Sequence, residues 1–265
     1  MPEGPEVKIA SNFLNAYFKD EVITQVVPVS EYFKAKHQSL TNELKEKIIG
    51  EKINSFTIGK NTYVPLKENC FYQYHLGMTG YWSNNLTKHS HIKFSSKKTE
   101  LYFCDIRKFG NHQIINESYI NKQQILFDPL SAKYDMHLHY KHLTQRIGQR
   151  KNICNALLDQ NLFPGVGNYL KSEILYHSEI HPDTMWGQLS TKKIQRLLEM
   201  SHLLLNESYQ KGGAELKDFK NPFKRSSYRL AVYAKKHDPN GNLVLSTKSK
   251  DQRRTWFVPQ IQKLQ

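Results

Sequence analysis

Apolar residues fall at helical spacing from the start of the chain. Val7, Ala10, Leu14, Tyr17 and Phe18 mark one face of a helix with Pro5 in its first turn. The period then shortens. Val22–Val29 is β-branched and reads as a strand, and Leu40, Leu44 and Ile48 predict a short helix over 40–49, closed by Gly50. Strand-like runs follow at Lys52–Ile58, Thr62–Leu66, Phe71–His75, His91–Ser95, Leu101–Cys104 and His112–Ile115. Turns such as Gly59-Lys60-Asn61 and Ser83-Asn84-Asn85 separate them. Many short strands beside helices predict a β-sandwich over residues 1–128.

Beyond Asp128-Pro129-Leu130-Ser131 the period becomes helical again. Ile153, Ala156 and Leu157 form one face, and Leu170, Ile174 and Leu175 form another, stopped by His181-Pro182. Ser190 caps a third helix, with Ile194, Leu197, Leu198 and Leu205 inward and Gly212-Gly213 after it. Tyr228–Val232, Leu243–Ser246 and Thr255–Val258 read as a small hairpin unit turning at Asp238-Pro239-Asn240-Gly241. The expected class is α+β with two domains. The expected bounds are a sandwich at 1–128, a linker at 129–136, a helical domain at 137–227 and a β-hairpin at 228–265.

Composition narrows the function. Lys and Arg outnumber Asp and Glu by 38 to 24, for a net charge of +14 in 265 residues. Such a surface attracts polyanions, nucleic acid first; a generally basic proteome is the bland alternative. No run approaches a membrane span, and the polar start is unlike a signal peptide, so an intracellular protein with no membrane partner is expected. Cys70, Cys104 and Cys154 are odd in number and far apart, which suggests free thiols in a reducing interior.

The candidate chemistry begins at Met1-Pro2-Glu3-Gly4-Pro5-Glu6. Met1 precedes a small residue and is expected to be trimmed, which would make Pro2 a terminal secondary amine. Such an amine can attack a carbonyl-like carbon and form an iminium, an electron sink. Glu3 brings a carboxyl within reach of the attacked centre, and the positive end of the following helix disfavours a protonated amine. Taken alone, the hexapeptide reads more simply as a helix start. A second stretch, Asn161–Leu170, places Gly165-Val166-Gly167-Asn168 at a helix start, an anion site or a plain helix–helix turn. His137, His139 and His142 have a spacing compatible with a metal, but solvated histidines are the default.

Together these stretches resemble the formamidopyrimidine-DNA glycosylase/endonuclease VIII family, over nearly the whole chain. The start is similar to that of endonuclease VIII. Gly165–Tyr169 with Lys171–Leu175 resembles the family's helix–two-turn–helix. His75–Gly80 and Asp105–Gly110 resemble its intercalation loops, and Gly212–Phe219 resembles the stretch before its base-covering loop. The resemblance implies a glycosylase with lyase activity on DNA carrying an oxidised base or abasic site. Single-stranded DNA is a further candidate partner. A monomer without a cofactor is expected.

By the same resemblance Pro2 attacks C1′, Glu3 protonates the sugar oxygen and Glu6 supports them. Lys60 holds a phosphate beside the lesion. His75, Asn168, Lys171 and Arg253 contact DNA, with Arg254 the neighbour to Arg253. Met78, Arg107 and Phe109 fill the space of an everted nucleotide. Where most relatives carry zinc-binding cysteines, this chain has Asn240, Leu243, Val258 and Ile261, so no metal is expected, and the aliphatics are expected to pack the hairpin. This is similar to the zincless finger of the Nei-like group found in animals and large DNA viruses. The short stretch Lys220–Ser227 favours oxidised pyrimidines, formamidopyrimidines and hydantoins over 8-oxoguanine. Two other readings stay open. One is a basic protein that binds damaged DNA without catalysis. The other is an RNA-binding module, which leaves Met78, Arg107 and Phe109 without a task.

Overall fold

A computed structural model describes residues 1–216, 219, 221–223 and 226–264. The expected lid at 220–227 therefore lies partly outside the described residues. The chain is α+β and divides into two compact units. One comprises Met1–Pro2, Glu6–Asn121 and the described residues of 215–226. The other comprises Glu3–Pro5, Lys122–Ala214 and residues 227–264. This division assigns the hairpin region and the helices after Asn121 to the same unit.

In the first unit, α1 (Gly4–Tyr17) presents the predicted face, with Val7, Ala10, Leu14 and Phe18 buried and Tyr17 partly so. Two four-stranded antiparallel sheets form the sandwich. One runs β1 (Gln25–Pro28), β6 (Ser90–Ser95), β7 (Glu100–Asp105), β5 (Gly80–Ser83). The other runs β2 (Phe56–Ile58), β3 (Asn61–Pro65), β4 (Cys70–His75), β8 (Asn111–Asn116). Val26, Trp82, Ile92, Phe94, Leu101 and Phe103 from the first sheet share one core with Val64, Tyr72 and Tyr74 from the second. Leu14 of α1, Phe18 just after it, and Phe33, Leu44 and Ile48 of α2 (Glu31–Ile48) join it.

Two elements differ from expectation. α2 spans Glu31–Ile48, starting nine residues before the predicted 40–49. Ser30 caps it by accepting the Phe33 N–H at 3.1 Å. The backbone kinks at His37 (φ −127°), which shifts the inward face and hides the first half from a simple period. β5 was not foreseen, because Gly80–Ser83 is four residues long and begins on glycine.

The second unit is helical, with α3 (Lys122–Phe127), α4 (Met136–Arg146), α5 (Ile153–Leu158), α6 (Asn168–His177) and α7 (Thr191–Gln210). α5, α6 and α7 match the periodic stretches. α3 and α4 fall in or beside the expected linker. α4 announces itself only by its cap, Asp135, which accepts the Leu138 N–H at 2.9 Å. The hairpin differs more. Tyr228–Val232 forms no strand, because its backbone donors are taken elsewhere. The N–H groups of Ala231, Val232 and Tyr233 all donate to the Glu173 carboxylate, at 2.8, 3.0 and 2.8 Å.

The Asn240-Gly241 turn closes through one bridge, His237 to Leu243, around an Asp238 carboxylate that accepts the Asn240 and Asn242 N–H groups. The ladder itself pairs β9 (Leu245–Lys248) with β10 (Arg254–Phe257) across a second turn. Val258 packs with Tyr176, Ala231, Val232 and Val244, and Ile261 rests against them. Leu243, expected to join this packing, is instead 55% exposed.

Candidate active site and nucleic-acid interface

In the first unit Lys60, His75, Met78, Arg107 and Phe109 lie in turns or at strand ends of the sheets, while Pro2 and Glu6 lie before and within α1. Pro2 is buried, and Glu6, in the first turn of α1, is fully buried. Lys60 occupies the β2–β3 turn and is 8% exposed. It sits beside His75, because Asn61 pairs with His75 in the sheet register. Burial pushes the His75 imidazole down, and the Lys60 ammonium adds to that shift. The Gly77 N–H donates to His75 Nδ1 at 2.8 Å, so neutral His75 carries its proton on Nε2.

The loop carrying Met78 and the loop carrying Arg107 and Phe109 meet at the backbone. Gly77 (φ +61°) lies so close that a Cβ there would stand 2.6 Å from the Phe109 carbonyl carbon. Thr79 Oγ1 donates to Asp105 Oδ1 at 2.5 Å, and Asp105 also accepts the N–H groups of Arg107 (3.2 Å) and Gly110 (2.7 Å). The Arg107 guanidinium stacks on the Phe109 ring at 4.7 Å, and Phe109 is 55% exposed. An exposed aromatic beside a cation suits insertion into a base stack better than a core role. Met78 is half-buried. Thr79 and Asp105 were not singled out in the sequence, although their place inside both loop motifs was a usable signal.

In the second unit Glu3 is 2% exposed and caps α6. Its carboxylate accepts the N–H groups of Gly167 (2.6 Å), Tyr169 (2.8 Å) and Leu170 (3.2 Å). The anion seat expected at this helix start is thus filled by a carboxylate of the chain itself, where donors and helix dipole favour negative charge. The Gly4 N–H donates to Gly165 O at 2.8 Å and ties the same segment down.

Asn168 does not cap α6; its Nδ2 donates to Arg254 O at 3.1 Å, and its Oδ1 is buried with no hydrogen-bond partner. Lys171, expected as a DNA-contacting cation, is fully buried, with its ammonium 2.5 Å from Asp251 Oδ2. α6 is buried from Tyr169 through Tyr176, so Lys171 makes no surface contact. Arg253 and Arg254 are both exposed; Arg253 lies in the turn and Arg254 begins β10.

Of the three spaced histidines, His139 and His142 point Nε2 at the carbonyls of Leu162 (2.6 Å) and Asn161 (3.1 Å). Those bonds occupy one ring nitrogen of each imidazole. No group of three or more metal-ligating side chains occurs among the described residues.

An antiparallel β-sandwich unit with two loops that meet at the backbone, and a helical unit whose α5–turn–α6 start is capped by the second residue after Met1, define a class of helix–two-turn–helix protein. Residues 1–112 match the formamidopyrimidine-DNA glycosylase N-terminal domain, and residues 125–220 match the formamidopyrimidine-DNA glycosylase H2TH domain. The chain belongs to the formamidopyrimidine-DNA glycosylase family. It is 30% identical over 249 residues to the formamidopyrimidine-DNA glycosylase of Rickettsia bellii, covering 89% of each chain. It is 29% identical to that of Mycoplasmopsis pulmonis, covering 99% of this chain and 98% of the relative. The fold is similar to that of the Lactococcus lactis enzyme in complex with DNA containing an oxidised pyrimidine (TM-score 0.82, 23% identity, 99% and 100% coverage). It is also similar to that of the Thermus thermophilus protein (TM-score 0.80, 25% identity, 98% of each chain).

Proposed function

We propose that this protein is a bifunctional DNA glycosylase and abasic-site lyase that removes oxidised bases. Oxidised pyrimidines, formamidopyrimidines and hydantoins are the favoured lesions. The observation that carries the reading is the seat of Glu3. The residue beside the candidate nucleophile is locked by three backbone donors at the start of the helix–two-turn–helix. That rigid placement is what positioning a reacting sugar requires.

After loss of Met1, the Pro2 amine attacks C1′ of the damaged nucleotide. The bond from C1′ to the base breaks, and the base leaves with the bonding pair and acquires a proton. The proton that the attacking amine sheds passes to the Glu3 carboxylate and from there to the ring oxygen as the sugar ring opens, which leaves an iminium between Pro2 and C1′. The iminium acidifies C2′. Loss of a C2′ proton expels the 3′ phosphate, and a further elimination expels the 5′ phosphate. The iminium on the sugar remnant is then hydrolysed, which restores the amine. Lys60 and His75 supply phosphate contacts, and Asn168 and Arg253 supply contacts from the helical unit. Met78, Arg107 and Phe109 occupy the vacated stack, which offsets part of the few kcal/mol that eversion costs.

The test is borohydride trapping on an oligonucleotide with one abasic site. Wild type is expected to give a covalent adduct of protein lacking Met1, and Pro2→Gly to give at least about 100-fold less. Absence of an adduct with wild type, alongside tight binding, would move the protein to the non-catalytic damage-binding reading.

A further inference from the structure

A zinc site normally ties the finger of this fold together, but the residues here do not suit one. Asn240 and Leu243 are exposed, and Val258 and Ile261 are aliphatic and packed. In their place one helix holds the finger through five side chains. Asn168 donates to Arg254 O, Lys171 pairs with Asp251, and Ser172 Oγ accepts the Trp256 N–H at 3.3 Å. Glu173 gathers the N–H groups of Ala231, Val232 and Tyr233, and the Tyr176 hydroxyl donates to Asp238 at 2.9 Å.

Four of these use polar groups for which a sheet or turn creates demand. The Lys171–Asp251 pair does not. Both side chains are at least 95% buried, and removing two charges from water is costly even when they pair well. Apolar residues of similar size often hold a fold equally well at such a place, so stability alone is a weak reason for the pair. Its geometry suggests another. Asp251 uses Oδ2 for Lys171 and Oδ1 for the N–H of Arg253, at 3.0 Å. The turn is completed by Gln252 N–H to Ser249 O and Ser249 N–H to Arg253 O, with Gln252 at φ +63°. Asp251 is therefore the link between a buried ammonium on α6 and the backbone of the exposed arginine at the hairpin tip.

We propose that Lys171 is a positioning residue: through Asp251 it fixes the turn that presents the Arg253 guanidinium to DNA. This rests on the DNA-binding part of the reading above, and it is tested by binding, so it does not depend on the lyase chemistry. A buried, oriented charge pair selects one turn geometry where a hydrophobic contact would tolerate several.

The experiment is a double-mutant cycle read by fluorescence anisotropy on a duplex containing a tetrahydrofuran abasic analogue. Lys171→Met and Arg253→Ala are each expected to weaken binding about tenfold, and the double variant no more than Arg253→Ala alone, since residues acting as one unit are non-additive. The borohydride-trapping rate at saturating abasic DNA should stay within about twofold for Lys171→Met, because a positioning role for the finger raises Kd and spares chemistry. Asp251→Asn, which keeps an acceptor for the Arg253 N–H but loses the charge, should fall between wild type and Lys171→Met, and it carries the same cycle if Lys171→Met does not fold. Additive losses, unchanged binding in Lys171→Met, or a wild type that does not bind the duplex would each overturn the proposal. Wild type that binds but forms no adduct would defeat the lyase reading and leave the cycle to decide this one.

Discussion

Glu3 occupies the space a side chain at position 167 would take. A Cβ on Gly167 would lie 2.3 Å from Glu3 Cδ and 2.4 Å from Oε1. No rotamer shift of a neighbouring surface chain relieves this, because Glu3 is 2% exposed and bonded to three backbone donors. The glycine is needed here for close approach and not for its backbone angles, since φ is −128°.

Gly167→Ala is therefore expected to expel the Glu3 carboxylate from its seat while leaving the rest of α6 folded. Loss of a charge-assisted cap costs about 1–3 kcal/mol of stability. Base excision from a lesion duplex should fall by at least about 100-fold, as for other misplacements of a reacting group. Single-turnover excision, with circular dichroism as the folding control, checks this. Near-wild-type excision would remove Glu3 from the reaction.

Asp105 couples the loops of Met78 and Phe109, so, if they fill a vacated stack as proposed, its loss should matter most in duplex DNA. In Asp105→Ala, Thr79 Oγ1 and the Gly110 N–H lose their acceptor, while the Arg107 N–H keeps Thr79 Oγ1 at 3.0 Å, at a cost of about 2–4 kcal/mol. Cleavage of an abasic site in duplex DNA is expected to fall about tenfold more than cleavage in a single strand, where there is no opposite base to replace. Equal losses on both substrates would show that the loops do not act in this way.

Acid should destabilise the protein through its buried histidines, although burial also pushes the Glu173 carboxyl up, which works in the opposite direction. Burial pushes His112 down to about 3 and His139 down to about 4, against 6.5 when unfolded. Below pH 6.5 the unfolded chain binds protons that the native state refuses, so stability falls as pH drops. The slope is roughly 1.4 kcal/mol per pH unit for each histidine, and the loss continues until each folded pKa is reached. Glu68, held below the ordinary carboxylate range by its hydrogen bond to Lys47, titrates beneath the window from 6.5 to 4.5. Urea midpoints across that window should decline steadily, and His112→Gln should flatten the decline. A flat profile in wild type would show that these imidazoles take up protons while folded.

What the sequence determined by itself was whatever repeats locally or acts through a side chain's own chemistry. The inward faces of α1, α5 and α7 follow a 3.6-residue period that burial obeys, whereas α6 is buried from Tyr169 through Tyr176, and most sandwich strands follow their β-branched and aromatic runs. The paired motifs around Met78 and Phe109 and the start at Pro2-Glu3 could be read from residue identity and order. Tertiary structure decided where charges and backbone donors find partners. Nothing near Lys171 in the chain announces Asp251, 80 residues away, and a lysine read as surface cation is a buried anchor. Tyr228–Val232 has the composition of a strand, yet Glu173 claims the N–H groups of Ala231 and Val232 and no ladder forms. Local propensity amounts to tenths of a kcal/mol per residue, whereas leaving a buried charge or donor unpaired costs about 1–3 kcal/mol or more, so distant partners win wherever the two conflict.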